Sequence, residues 1–165
     1  KINSDVLGKV INIASRLGSV LHKRCGGKLS NIPEEGASML AQIRSKKEQI
    51  GALYNSLEFN KAMREIMHLA DLANQYIDLS APWSVAKESP EQAADICTAG
   101  LNACRYLMIY LKPVLPKLTE GIESFLNCPA LTWKDLDTVL TQHDINAYEH
   151  LISRLTPEDI QQIYT

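Results

Sequence analysis

The chain has 165 residues, 45% of them hydrophobic and 22% charged, with a formal net charge of −2 and a pI near 6.1. That length can bury one core without disulfides or metal, and no apolar run approaches the ~18 residues of a membrane span. The acidic balance excludes holding nucleic acid by bulk phosphate neutralisation, so any such role must rest on a local patch with base-specific contacts.

Val6, Leu7, Val10, Ile11, Ile13, Ala14, Leu17, Val20 and Leu21 recur at helical spacing and predict a first helix. Ser4 or Asp5 is placed to cap its start, and Gly26-Gly27 to stop it in a left-handed turn. Polar residues interrupt every candidate apolar stretch here, so no signal peptide is read. The chain opens without an initiator Met, as a piece of a longer protein would. On the side away from the apolar residues, Asn12 and Arg16 lie one turn apart, with Lys9, Ser19 and Lys23 near the same line. An Asn and an Arg on one exposed face can read a base edge and a phosphate together. A plain polar stripe would show the same pattern.

After a loop through Pro33, the residues Met39, Leu40, Ile43, Ile50, Leu53 and Tyr54 predict a single second helix. A third carries Phe59, Met63, Ile66, Met67, Ala70, Ala73, Tyr76 and Ile77. It is expected to end before Leu79, because Pro82 disfavours a helical conformation at Ala81. Trp83, one of two tryptophans, therefore stands at a junction, with Pro82 fixing the backbone before it and Ser80 able to cap a short helix. Such a ring can stack on an unpaired base, or fold back as a lid over the end of a bundle. Lys87, one turn further on, places a cation within reach of it.

Ser89-Pro90-Glu91-Gln92 is a strong start signal, with a capping Ser, Pro at the first helical position and Gln92 where a capping box needs it. That fourth helix continues through Ile96, Cys97, Leu101, Cys104, Leu107, Met108 and Leu111 until Pro113. A fifth follows Pro116 through Ile122, Phe125 and Leu126 and closes at Asn127-Cys128-Pro129. Beyond it, residues 132–140 suggest a short helix, residues 146–155 another, and Thr156-Pro157 a further start. No segment alternates with period two and no hairpin signal appears. The reading is all-α: one domain spanning 1–165, a bundle of about five main helices with mostly short connections.

Chemistry-bearing motifs are sparse. Cys25, Cys97, Cys104 and Cys128 form no C-x-x-C pair and read as buried small hydrophobes in a reducing cytosol. His22, His68, His143 and His150 lack ligand spacing, so no metal site is expected. A phosphate-binding glycine loop, a dinucleotide fingerprint and a nucleophile elbow are all missing, and no catalytic residue is proposed. Glu58, Glu65 and the basic turn at residues 44–48 read as solvated charge.

Three stretches taken together, VINIASR, LADLANQYIDLSAPWSVAK and LNACRYLMIYLKPVLPKLTEGI, closely resemble the anticodon-binding domain of methionyl-tRNA synthetases, of bacterial type. The resemblance runs from about Asp5 to Leu155, and order and spacing both match: N-x-x-x-R, then A-x-x-A-N-x-Y with A-P-W-x-x-x-K, then L-x-P-x-x-P. It implies a cytoplasmic, helical module that recognises the CAU anticodon loop of methionine tRNAs, without binding membrane or DNA. The resemblance also implies an N-terminal catalytic domain of the same polypeptide, which would supply the ATP and methionine sites and any zinc-bearing insertion. None of those motifs occurs here, so no cofactor is expected in this chain.

By the same resemblance, Trp83 stacks on the wobble cytosine, Asn12 and Arg16 contact anticodon nucleotides, Pro82 shapes the site and Lys87 meets a phosphate. Asn74 and Tyr76 support the junction. The sequence departs from the family near its end, where Ala147 replaces a proline and Ile152 a position often aromatic, which bears on the contact between domains. Another class of function, a helical scaffold for a peptide or partner protein, requires a hydrophobic groove beside Trp83. Anticodon binding requires Asn12, Arg16 and Trp83 on one open surface.

Overall fold

The computed structural model describes residues 2–148, with side chains from Asp5 onward. In chain order the elements are α1 (Ile2–Arg24), β1 (Lys28–Leu29), α2 (Glu34–Arg44), α3 (Lys47–Asn55), α4 (Phe59–Ser80), α5 (Pro82–Val85), α6 (Pro90–Leu111) and α7 (Pro116–Phe125). A 3-10 turn (Trp133–Asp137) and β2 (His143–Asp144) complete the described chain. The all-α expectation holds. The two strands add only a short antiparallel bridge, Lys28 opposite Asp144 and Leu29 opposite His143, too brief to leave a period-two signal.

One helix organises the core. From Ala93 to Leu111 every residue but Asp95 is buried, the mark of a helix enclosed on all sides. The Cys25 thiol donates to the Pro90 carbonyl at 3.4 Å, which brings the end of α1 to the start of α6. Eight residues earlier, Leu17 lies where a side chain on Gly100 would be: an added Cβ would stand 2.2 Å from Leu17 Cδ1 and 3.3 Å from Ile77 Cδ1. Helix α1 thus runs antiparallel to α6, and α4 closes on both at Gly100. On the other flank α2 runs parallel to α6, with Gly36 against Ala99 and the Tyr110 hydroxyl donating to the Ile43 carbonyl at 2.8 Å.

Polar groups buried on α6 fasten the chain that returns over it. Asn102 donates to the Leu140 carbonyl and accepts from the Leu140 N–H, at 2.9 and 2.7 Å. Arg105 donates to the carbonyls of Asp135 and Thr138 and to the Thr138 hydroxyl. Those bonds explain why two polar side chains are tolerated at 1% and 3% exposure.

Several local expectations are met. Gly26 and Gly27 take φ of +73° and +70°, and the Gly27 N–H closes on the Leu21 carbonyl. Ser89 Oγ accepts from the Gln92 N–H with Pro90 at the first helical position. Asn127, at φ +54°, turns the chain after α7, and residues 132–140 contain the 3-10 turn.

Others are corrected. Ser4 and Asp5 do not cap α1, which has begun by Ile2. The single second helix is two, α2 and α3, parted at Ser45-Lys46, where the Ser45 hydroxyl donates back to the Gln42 carbonyl. Helix α4 persists through Ser80 before stopping. The helix expected at residues 146–155 falls almost wholly, and the Thr156 start and Ile152 entirely, outside the described residues. Among the described residues no helix is long and apolar enough to cross a membrane, and no group of three or more His, Cys, Asp or Glu is placed to hold a metal.

Candidate functional site

Where α4 stops, Ala81 turns left-handed at φ 46° and ψ 62°. Proline at position 82 makes the right-handed helical region costly for the preceding residue, and the chain resolves that cost with a single αL residue. The Ala81 N–H still closes α4 on the Ile77 carbonyl, while the Ala81 carbonyl accepts from Ser84 and Val85 and opens α5. The capping position is therefore Ala81, which has no capping side chain, and not Ser80. Pro82 is buried as the first residue of α5, so this turn anchors the residue that follows.

That residue, Trp83, is 37% exposed. Its ring carries the Arg16 guanidinium, with Cζ 4.4 Å from the ring centroid. The expected cation at the ring is thus present but comes from α1. Lys87 is exposed and forms no ion pair with any described residue. Arg16 also donates to Asp78 Oδ1 at 2.9 Å. Two turns earlier on the same faces Lys9 pairs with Asp71. Both pairs span 62 residues, so α1 and α4 lie side by side in the same direction.

Asn12 lies one turn before Arg16, exposed and without a hydrogen bond to any described residue. Its amide is free to bond outward, and Arg16 is held in place beside a flat aromatic face. A guanidinium over an indole contributes about 0.5–1 kcal/mol at exposed sites. The ion pair to Asp78, itself 61% exposed, adds about 0.2–1 kcal/mol. The guanidinium is therefore positioned weakly enough for an incoming group to re-aim it.

Asn74 and Tyr76 lie behind this surface. Asn74 donates to the Ala70 carbonyl at 3.0 Å and keeps its buried Oδ1 without a partner among the described residues. Burial raises the Tyr76 phenol above its ordinary value, against a lowering hydrogen bond with Ser80. Tyr76 borders a cleft of about 440 Å³ on the α2 side of the junction, with Leu79, Val85 and Ile96 as apolar walls and Glu35 and Asp95 as carboxylates. It is a mixed, acid-rimmed depression and not the hydrophobic groove a protein-interaction scaffold requires.

Residue-by-residue reading singled out Arg16 and Trp83 but not their contact, which joins elements far apart in the chain. It missed Asp71 and Asp78 altogether. The signal was present: two amphipathic helices carry opposite charges at the same seven-residue interval, 9 to 16 and 71 to 78.

Residues 27–163 match the family model described as the anticodon binding domain of methionyl tRNA ligase. The match takes in Trp83 and Lys87 and leaves α1 outside it. The methionine–tRNA ligase of Chromobacterium violaceum is 44% identical over 165 residues, 99% of this chain and 24% of that protein. That of Thiobacillus denitrificans is 43% identical over 163 residues, 98% of this chain and again 24% of the relative. The chain thus spans about a quarter of the length of the curated relatives it matches. Among solved structures, the free-state methionyl-tRNA synthetase of Mycobacterium tuberculosis superposes with a TM-score of 0.80 over 89% of this chain and 32% of its own, at 20% identity. Its methionyl-adenylate complex gives 0.79 over 87% and 30%, also at 20% identity. These likenesses show the fold.

Proposed function

Because this chain belongs to the methionyl-tRNA ligase family and matches its anticodon-binding domain, we propose that it recognises the CAU anticodon loop of methionine tRNAs, as the RNA-reading part of a cytoplasmic enzyme that uses ATP to attach methionine. Catalysis, with its ATP, methionine and any zinc, belongs on this reading to the part of the ligase outside this chain. The catalytic domain of the same polypeptide is its second partner, and neither membrane nor DNA is.

The observation that carries the proposal is the pairing of Arg16 with the partly exposed ring of Trp83 at 4.4 Å, one turn from the amide of Asn12, which has no hydrogen bond to a described residue. Single-stranded RNA is read by stacking unpaired bases on aromatic rings or guanidinium planes and by hydrogen bonds to their edges. Stacking on an indole is worth about 1–3 kcal/mol per base. A base arriving at Trp83 meets the Arg16 donors immediately, and Asn12 supplies a donor and an acceptor in one amide. Pro82, buried as the first residue of α5, anchors the turn that carries Trp83. Directed contacts of this kind suit a mildly acidic domain, which lacks the charge for indiscriminate phosphate binding.

The test is a titration of a CAU stem-loop against the chain, followed by tryptophan fluorescence, with the wobble base changed in a control. Trp133 is T-stacked on Tyr110, 5.4 Å between centroids, at the far end of α6. The expected quenching therefore belongs to Trp83 and disappears in Trp83→Phe. Quenching that persists in that variant, or that ignores the wobble base, overturns the assignment. In the full-length ligase, Arg16→Ala is expected to reduce aminoacylation while sparing activation of methionine by ATP.

A further inference from the structure

The cations along α1 are not equivalent. Lys9 and Arg16 each meet a carboxylate 62 residues further on, Asp71 and Asp78. The next cation at the same seven-residue interval is Lys23. Its counterpart in that register is Val85, because α4 has stopped at Ser80 and the chain has turned through Ala81. Lys23 is exposed and, with its neighbour Arg24, forms no ion pair with any described residue. Lys87, also exposed, lies three residues before Pro90, whose carbonyl accepts from the Cys25 thiol at the end of α1. Lys28, Glu91 and Asp95 border the depression that Arg24 lines beside Pro90, and Glu88 follows Lys87, so that edge carries three carboxylates against four cations.

Trp83 thus stands at an electrostatic boundary. On one side Asp71 and Asp78, side chains 53% and 61% exposed, already offset Lys9 and Arg16. On the other, where α4 has ended, lies Lys23. We propose that an RNA strand whose base stacks on Trp83 carries its backbone toward the C-terminal end of α1, where Lys23 holds a phosphate of a neighbouring nucleotide. Lys23 lies seven residues beyond Arg16, about 10 Å along the helix axis. The inference rests on the anticodon reading above and adds to it a direction for the strand and a contact that carries no sequence information. A lysine that served only to complement the helix dipole of α1 would leave RNA binding untouched.

The experiment measures binding of labelled CAU and wobble-changed stem-loops to the chain across a salt series, by fluorescence anisotropy, for the wild type, Lys23→Gln, Trp83→Phe and Lys134→Gln. Lys134 is an exposed cation in the 3-10 turn at the opposite end of α6. Lys23→Gln is expected to weaken both stem-loops by the same factor, roughly several-fold at low salt, and to flatten the plot of log K against log salt by about 0.7. Trp83→Phe keeps the slope and loses the discrimination, and Lys134→Gln changes neither. An unchanged slope in Lys23→Gln, or a loss confined to one anticodon, overturns the strand direction while leaving the anticodon reading intact. A wild-type chain that binds neither stem-loop overturns both.

Discussion

Arg16 is where the recognition and folding roles of this surface separate most cleanly. Its side chain touches Asp78 and the ring of Trp83, both of them substantially exposed, so neither contact is insulated from water. Removing it should cost folding about 1 kcal/mol, from one exposed ion pair and one exposed cation–π contact. A good bidentate contact to a base edge is worth about 1–3 kcal/mol of discrimination, so Arg16→Ala should weaken stem-loop binding several-fold to a hundred-fold. Urea denaturation and a binding titration on the same preparation check this. A stability loss of more than about 3 kcal/mol would recast Arg16 as a structural residue. Arg16→Lys is expected to restore stability and only part of the binding, since an ammonium lacks the planar fork.

At the scale of elements, the position of that arginine depends on how closely α1 and α4 approach α6, and Gly100 sets the distance. A methyl group there would stand 2.2 Å from Leu17 Cδ1, so Gly100→Ala forces Leu17 and Ile77 apart. Overpacking of this kind costs about 1–3 kcal/mol, offset in part by the helix propensity of alanine. Because Leu17 and Ile77 adjoin Arg16 and Asp78, the variant should also disturb the ion pair. The expected result is a lowered Tm with a loss of anticodon discrimination larger than the stability loss explains. A lowered Tm with unchanged discrimination would dissociate the two. Ser89→Ala, at the start of α6, should cost about 1 kcal/mol through the lost cap alone and leave binding unchanged.

These elements also show what periodicity could and could not reveal. The helix starts and stops at Ser89-Pro90, Pro113 and Gly26-Gly27 were readable because each is enforced by local backbone chemistry. The break between α2 and α3 was not, because Ile43 and Ile50 keep a helical interval across it and neither Gly nor Pro marks it. Gly100 reads locally as a mild flaw in a helix. Its purpose appears only when Leu17 and Ile77 arrive from elsewhere in the chain. The contact of Arg16 with Trp83 is of the same non-local kind, although each residue was singled out alone.

Over the whole molecule, the core that holds the site also fixes its response to alkali. Burial pushes the Cys104 thiol up to about 12, and burial followed by the neighbouring Cys25 raises Cys97 as well. Burial likewise raises the phenols of Tyr54 and Tyr110 from their ordinary value of 10.0. In the unfolded chain the thiols titrate near 9.0 and the phenols near 10.0, while the folded core keeps its protons. Above pH ~9 the unfolded state therefore binds fewer protons than the folded state, and the slope of unfolding free energy with pH is negative. Stability should be level from neutrality to pH ~8.5, fall between 9 and 10 as the thiols ionise in the unfolded chain, and fall faster above 10 as the phenols follow. Each group contributes at most about 1.4 kcal/mol per pH unit. The urea midpoint measured from pH 7 to 11 checks this, and the doubly substituted Cys97→Ala, Cys104→Ala chain should show a shallower first part of the decline, left to Cys25 and Cys128, and retain the second. A midpoint unchanged through pH 10.5 would mean that these groups are not held neutral by the core.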